Sequence, residues 1–422
     1  MQKLNKQQKK AAYTSSRIVY VDAGPGTGKT TVIEARVRYL INKGVTPYEI
    51  LILAFNTSVV AELKERLRQF TGINIRTFHS LGCSIIKQYS GKNSFSFLSD
   101  EDKSKLITKI KKQIAIKNVI NTDIMNMLSI CRENPSHIKK YSPDLQKIYH
   151  CYVEILKQEK LFDYAKQIRR ANAILQKNSE LRNKLCQQYR YVLVDEFQDM
   201  SESRFKLLRL LICGTSYLFM VGDGDQQILE WAGVQNNNLR RLQEYYPNLK
   251  IYPLEGSYRL TPQITEIANN LIQHSKERID KRLKSLNPQN GYFEIKKFDN
   301  SDDEARWCIN KINLLLRNGA DKKDIVVLVR QEKMLYDVIK KTGVVCSTIH
   351  KIKGLEFQHV IVLGVEKGVF NGCIEEERRL LYVALTRAIK SLVLTFIDDG
   401  MRTVGYGDIQ VQISPLLDEL YK

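Results

Sequence analysis

Short uninterrupted apolar runs recur along the chain, at residues 18–21, 50–54, 191–194, 218–221, 325–329 and 360–363. Four or five apolar residues without alternation mark a strand buried on both faces, as in a parallel sheet. Residues 73–77 alternate like a strand, and 292–298 and 391–396 read as further strands, the latter the last. Helical spacing lies between these runs. Residues 1–17 are polar and helical around Leu4, Gln8 and Ala12, a helix runs to about Leu40, and Val59, Val60, Leu63 and Leu67 share a face. Thr261 with Pro262 reads as an N-cap and first helical residue. Ser301 with Glu304 reads as a capping box opening a helix to about Arg317. Residues 376–388 form one more helix, and Gly405 and Gly407 lie in a surface loop. The order of elements is the βαβ signature of an α/β fold.

The strand signal disappears between 92 and 186, where Leu106, Ile110, Ile114 and Ile148, Tyr152, Ile155 keep helical spacing. The expected organisation is a first α/β domain of 1–91 and 187–253, interrupted by a helical insertion at 92–186, and a second α/β domain of 254–422. Charge sharpens this division. The chain of 422 residues has 66 Lys+Arg against 46 Asp+Glu, net +20, and residues 81–190 carry 21 basic and 10 acidic side chains. A concentrated excess of this size implies a polyanionic partner, nucleic acid first. Lys276, Arg278, Lys281, Arg282 and Lys284 form a second basic stretch expected to meet phosphates. The eight cysteines have no metal-binding or redox spacing, so free thiols in a reducing compartment are expected. Neither a secretory leader nor a run of membrane-spanning length is apparent, which points to a soluble cytoplasmic or nucleoid-associated protein that is not secreted and has no membrane partner.

The first strand leads into Ala23, Gly24, Pro25, Gly26, Thr27, Gly28, Lys29, Thr30 and Thr31, and then into a helix. Glycines in a strand–turn–helix setting point several N–H groups at one anion, and the helix start adds a positive dipole end. Lys29 is placed to reach β- and γ-phosphates and the Thr30 hydroxyl to bind Mg²⁺. An apolar strand that ends in Asp195 and Glu196 supplies the other half of an ATPase. Asp195 is expected to hold Mg²⁺ and Glu196 to align or deprotonate the attacking water.

Nine motifs in order carry a broader resemblance. They are Leu4-Asn5-Lys6-Gln7-Gln8; the phosphate loop; Ala54-Phe55 with the helix after it; Thr77-Phe78-His79-Ser80; Asp195-Glu196-Phe197-Gln198-Asp199; Gly222-Asp223-Gly224-Asp225-Gln226-Gln227-Ile228 with Trp231 and Gly233; Tyr258-Arg259; Thr348 to Phe357; and Glu377 to Ala388. Together they resemble the superfamily 1 DNA helicases of the UvrD/Rep type across nearly the whole chain. The resemblance implies two RecA-like lobes, parallel sheets flanked by helices, with a helical insertion in the first lobe. It implies ATP and Mg²⁺ as cofactors, and single-stranded DNA and single/double-strand junctions as partners. The implied activity is ATP-dependent translocation and unwinding, 3′→5′, with hydrolysis coupled to lobe closure. By the same resemblance Gln8 reads the adenine edge and Tyr258 stacks on it, and Gln226 senses the γ-phosphate. Arg259 and Arg387 stabilise its charge, and Glu356 contacts the ribose or phosphates. Phe55, His79, Trp231 and His350 belong to the DNA contacts or their relay, although His350 reads equally well as a packed strand-end histidine. Trp307, on an amphipathic helix, reads as core.

The chain also departs from the family pattern. Thr31 stands where an arginine is common, Asn56-Thr57 inverts the usual order after Phe55, and Leu229 replaces a tyrosine. Only 90 residues lie between Arg259 and His350, too few for the second helical insertion of larger family members. Two alternatives therefore accompany the helicase reading: an ATP-gated DNA-binding subunit of a repair, nuclease or defence complex, and a protein-stripping translocase that does not unwind. Protein partners are not indicated.

Overall fold

The computed structural model describes residues 4–421 apart from 91–95, 117–118, 134, 229–237, 277, 335–336 and 406. The chain divides into two compact units. The first holds residues 1–21, 29–222 and 229–252; the second holds 22–28, 223–228 and 253–422.

The first unit is built on a six-stranded sheet. Its strands are β1 (Ile18–Ala23), β2 (Ile50–Ala54), β3 (Asn74–Thr77), β4 (Tyr191–Val194), β5 (Tyr217–Gly222) and β6 (Lys250–Leu254), in the order β3-β2-β4-β5-β1-β6. Registers Leu51↔Asn74, Ile52↔Leu193 and Leu193↔Phe219 make β3, β2, β4 and β5 parallel. Parallel strands put their C-terminal ends on one edge, where open α/β sheets carry their chemistry. That edge receives Phe55 after β2, the Thr77–His79 segment after β3, and Asp195-Glu196 after β4.

The helices of this unit start where the sequence supplies caps. In α1 (Lys6–Ala12), Asn5 and Gln8 cap each other reciprocally. α2 (Lys29–Asn42) follows the glycine turn. Asn56 accepts a hydrogen bond from the Val59 N–H at 2.9 Å and starts α3 (Thr57–Arg66), which gives the inverted Asn56-Thr57 order a local purpose. α4 (Phe78–Ser90) begins immediately after β3.

The insertion has its own core. Ile107 and Ile110 of α5 (Asp100–Gln113), Ile124, Met127 and Leu128 of α6 (Asn121–Glu133), and Ile148, Tyr152 and Leu156 of α7 (Pro143–Gln158) are all buried in one cluster. The region is not wholly helical: Ser96–Phe97 pairs in parallel with Leu161–Phe162. Asp163 caps α8 (Tyr164–Lys177) and receives Arg132 Nε at 2.7 Å, both side chains being buried. α9 (Ser179–Gln188) returns the chain to β4, α10 (Glu202–Leu211) joins β4 to β5, and α11 (Asn238–Tyr245) precedes β6.

The second unit contains a fully parallel five-stranded sheet of order β7-β11-β10-β8-β9. Its strands are β7 (Tyr292–Phe298), β8 (Ile325–Val329), β9 (Val345–Thr348), β10 (Phe357–Leu363) and β11 (Ala388–Ile397). α12 (Pro262–Ile272), α13 (Ser301–Arg317) and α14 (Ile374–Leu385) are its main helices. Three local expectations are corrected here. The cap of α13 is Asn300, which accepts from the Asp303 N–H at 2.9 Å; Glu304 is instead fully buried against Arg402. β11 is not the last strand, and Gly405 and Gly407 lie at the turn of an antiparallel hairpin, β12 (Gly400–Val404) with β13 (Gly407–Ile413). The hairpin carries Arg402 between Glu304 and Glu366, at 2.6 and 2.5 Å. Trp307 is partly exposed and packs on Phe298, 5.5 Å between centroids, rather than in the core.

Among the described residues no helix is long and apolar enough to cross a membrane, and all eight cysteines are free thiols.

Candidate functional site

In the first unit Lys29, Asp195 and Glu196 meet. The Asp195 N–H extends the β2–β4 ladder by donating to the Leu53 carbonyl at 2.9 Å, so the carboxylate is held at the strand end and buried. Glu196 then takes a left-handed conformation, φ 48° and ψ 48°. Such a conformation is costly for a residue with a Cβ and concentrates at functional sites. It turns the Glu196 side chain to Lys29 Nζ, 3.1 Å away, and to Gln198 Nε2 at 2.6 Å. The Glu196 N–H donates to Asp195 Oδ1 at 2.9 Å. Burial, reinforced by the neighbouring Glu196 carboxylate, pushes the Asp195 carboxyl up to about 7 against the opposing pull of Lys29.

This environment suits a divalent cation. A buried, under-neutralised carboxylate is a hard oxygen donor, and the Thr30 hydroxyl, one residue beyond Lys29, makes no protein hydrogen bond among the described residues. No group of three or more His, Cys, Asp or Glu side chains forms a metal cage among those residues. One carboxylate and one hydroxyl, with substrate phosphates and water completing the shell, is the way Mg²⁺ is held.

Along the same strand-end edge lie the aromatic groups expected at DNA. The Arg204 guanidinium sits 4.5 Å over the Phe55 ring, and His79 packs on Tyr164 with centroids 4.7 Å apart. Burial, with Arg204 nearby, lowers the His79 pKa to about 3, so this imidazole is neutral at physiological pH and has no charge to offer a phosphate. Arg204 and Tyr164 carried no motif signal; only packing on Phe55 and His79 singles them out. Trp231 lies outside the described residues. The basic side of the insertion is a groove lined by Lys157, Lys160, Lys166, Arg169 and Arg170 over Leu156 and Phe162. Gln8, expected at the adenine, is buried, and its amide oxygen accepts the Asn5 N–H at 3.0 Å.

The glycine turn groups with the second unit. Gly26 and Gly28 have φ of +69° and +86°, and the Thr27 hydroxyl closes the turn on the Gly24 carbonyl at 2.8 Å. The Gly26 and Gly28 N–H groups have no protein acceptor among the described residues, as an anion cradle requires. The outer side of the turn is clamped to the 257–259 segment. The Ser257 hydroxyl donates to the Pro25 carbonyl at 2.8 Å and the Tyr258 N–H to that of Gly26 at 2.9 Å. A Cβ on Gly26 would stand 2.5 Å from Arg259 Cβ, so the glycine serves this close approach as well as the turn.

Gln226 is the hub of the second unit's polar groups. Its Nε2 donates to Asp223 Oδ2 at 2.7 Å, while its Oε1 accepts Arg387 Nη2 at 3.0 Å. Its carbonyl accepts Lys353 Nζ at 2.8 Å. Lys353, part of a recognised motif but given no role from sequence, is thus a member of the site. Arg387 is buried and also donates to the Leu355 and Val383 carbonyls. Arg259 pairs with Glu356 at 2.5 Å, so Glu356 meets an arginine here. Tyr258 is 40% exposed. Burial, with Arg330 and Lys353 close by, lowers His350 to about 4, which makes it a neutral group.

The basic stretch after α12 departs from expectation. Lys281 is buried against Asp22 and Asp223, and Arg278 forks onto Asp225. A lysine inside a carboxylate nest is satisfied there and does not meet phosphates. Only Lys276, Arg282 and Lys284 of that stretch are exposed.

Comparison with known proteins matches both units. The UvrD/REP helicase N-terminal domain family matches residues 4–247, and the UvrD-like helicase C-terminal domain family matches 252–342 and 335–399. The chain is 30% identical over 380 residues to a probable DNA helicase II homolog of Mycoplasma capricolum, covering 84% of this chain and 52% of that protein. A probable DNA helicase of Mycoplasma pneumoniae is 28% identical, over 93% of this chain and 83% of its own. DNA helicase II of Escherichia coli is 28% identical, over 78% and 48%. Apart from the Mycoplasma pneumoniae protein, the chain spans about half the length of these relatives.

Proposed function

The chain belongs to the UvrD/Rep helicase family, and from that premise we propose that it is an ATP-dependent single-stranded DNA translocase that unwinds duplex DNA in the 3′→5′ direction. The observation that carries the ATPase part is the Lys29–Glu196–Asp195 cluster at the end of β4. Lys29 binds the terminal phosphates. Glu196, held by Lys29 and Gln198, orients and deprotonates the attacking water. Arg259 and Arg387 offset the charge that develops on the γ-phosphate, a contribution of about 10³–10⁵ in rate where such arginines have been removed or supplied. Gln226, hydrogen-bonded to Arg387, reports the state of that phosphate to the DNA-contacting groups. Tyr258 stacks on the adenine. Thr30 and Asp195 would hold Mg²⁺, which when bound neutralises phosphate charge. Turnover is coupled to lobe closure, as family membership implies.

Single-stranded DNA follows the strand-end edge of the first unit. Bases stack at Phe55 and Trp231, and each such stack contributes roughly 1–3 kcal/mol. The groove around Lys157, Lys160 and Arg170 supplies sequence-independent phosphate contacts.

A second reading, translocation that strips proteins without separating strands, is favoured by the short interval between Arg259 and His350. A strand-displacement assay on a 3′-tailed duplex, run beside a DNA-stimulated ATPase assay, tests both. Displacement with stimulated turnover is expected. Stimulated turnover without displacement selects the stripping translocase, and no stimulation by DNA refutes a motor of either kind.

A further inference from the structure

Lys281 is buried among three carboxylates of the second unit. Its Nζ lies 2.9 Å from Asp22 Oδ2, 2.7 Å from Asp223 Oδ1 and 3.5 Å from Asp225 Oδ2. All four side chains are at most 3% exposed. Arg278 adds a second cation, donating to both Asp225 oxygens at 3.0 and 2.9 Å and to the Lys281 carbonyl at 2.9 Å. Three carboxylates against two cations leave one negative charge in excess. Accordingly, burial and the other two carboxylates raise the Asp22 pKa, whereas the cations hold Asp225 low.

Asp223 links the nest to the proposed catalytic groups. Asp223 uses Oδ1 for Lys281 and Oδ2 for Gln226 Nε2, and the other end of that amide accepts Arg387. A glutamine amide presents a donor end and an acceptor end that differ little in shape, so its orientation is set only by its partners. An ionised Asp223 accepts and cannot donate, so it takes the NH₂ end and leaves the oxygen for Arg387. Lys281 Nζ occupies Asp223 Oδ1 and so holds the carboxylate with Oδ2 facing the Gln226 amide. Its bond to Asp22, the residue before Ala23, ties the same nest to the start of the glycine turn.

We propose that Lys281 is a positioning residue for ATP hydrolysis: through Asp223 it fixes the Gln226 amide with its oxygen on Arg387. This rests on the reading of Gln226 and Arg387 as groups that act at the γ-phosphate. Lys281 touches neither nucleotide nor DNA; its effect passes through Asp223.

The test compares Lys281→Met, the pair Asp22→Asn/Lys281→Met, and Asp223→Asn in the full chain, with Gln226→Ala as reference. Thermal midpoint, affinity for a fluorescent ATP analogue, and kcat and KM of the DNA-stimulated ATPase are read for each. The double variant removes one charge of each sign, so it restores the net charge of the nest. It is expected to melt within about 3 °C of the parent chain and to bind nucleotide normally, yet to lose about tenfold or more in kcat, as a misoriented group does. Adding Gln226→Ala to it should cost nothing further. A merely structural Lys281 would give the opposite: kcat restored together with the melting point, and additive losses with Gln226→Ala. Asp223→Asn keeps Lys281 paired with Asp22 and reads the same bond should the Lys281 variants fail to fold; unchanged turnover in Asp223→Asn overturns the proposal. If Gln226→Ala itself turns over normally, the assignment of the catalytic groups fails first, and this inference with it.

Discussion

Lys29→Ala separates catalysis from stability at one side chain. Lys29 Nζ is 3.1 Å from Glu196 Oε2, and the two side chains are 16% and 26% exposed. A partly solvated ion pair of this kind contributes about 1 kcal/mol or less to folding. In a domain of this size that corresponds to a fall of about 2–4 °C in the thermal midpoint. The catalytic loss is far larger. A preorganised donor to a developing anion contributes about 10²–10³ in kcat, or about 3–4 kcal/mol. The substitution also removes the cation that draws the Asp195 carboxyl downward, so this group holds its proton more tightly. The expected variant therefore melts near the parent temperature, binds single-stranded DNA at low salt with little change, and turns ATP over at least about a hundredfold more slowly. Steady-state ATPase with saturating oligonucleotide, scanning fluorimetry and anisotropy on a labelled strand measure the three quantities. Turnover within threefold of the parent chain would sink the assignment of Lys29 to the phosphates. A melting point lower by about 10 °C would show that the pair with Glu196 is structural, contrary to its exposure.

Other substitutions and conditions test separate parts of the molecule. Arg402→Met leaves Glu304 and Glu366 buried without their cation and is expected to destabilise by about 3–5 kcal/mol; a thermal melt with a shift under about 3 °C contradicts this. Asp195 has a folded pKa raised to about 7, so the folded site keeps its proton below neutrality and gives it up as pH rises. Proton and Mg²⁺ then compete, and half-saturating Mg²⁺ for ATPase should be about tenfold higher at pH 6 than at pH 8; equal values would remove Asp195 as the ligand. Replacing Lys157, Lys160 and Arg170 with serine should flatten the plot of log affinity for DNA against log salt by about two units of slope, and an unchanged slope places the DNA elsewhere.

Much of the fold is legible because local rules and tertiary structure agree. The runs at 50–54 and 325–329 are strands buried on both faces, and each is buried at every position. The glycine turn and the Asp-Glu strand end are found from residue type and spacing, since a phosphate cradle and a metal carboxylate would require those types in that order, whereas the Tyr258-Arg259 segment is found through the family resemblance. The expectations that failed for charged side chains did so for one reason. A charged residue reads as solvated until its partner is known, and the partners here are remote. Lys281 meets Asp22 and Asp223, and Glu304 meets Arg402, across spans where no periodicity links the two. The hairpin of β12 and β13 was hidden for a different reason: its strands are mostly exposed and carry no apolar run.

By itself the sequence determined the family, the order of the buried strands and of the main helices between them, and which residue types stand at the strand ends. Those follow from short-range chemistry: buried runs, caps, glycines and motif spacing. Only the tertiary structure decided how those groups are charged and aimed. His79 and His350 are neutral because burial excludes the charged ring. Burial, with the Glu196 carboxylate beside it, raises the Asp195 carboxyl to about 7. The amide of Gln226 has one orientation because Asp223 is held on one side and Arg387 on the other. Burial and pairing are sums over neighbours from distant parts of the chain, so they come into existence only when the chain has folded.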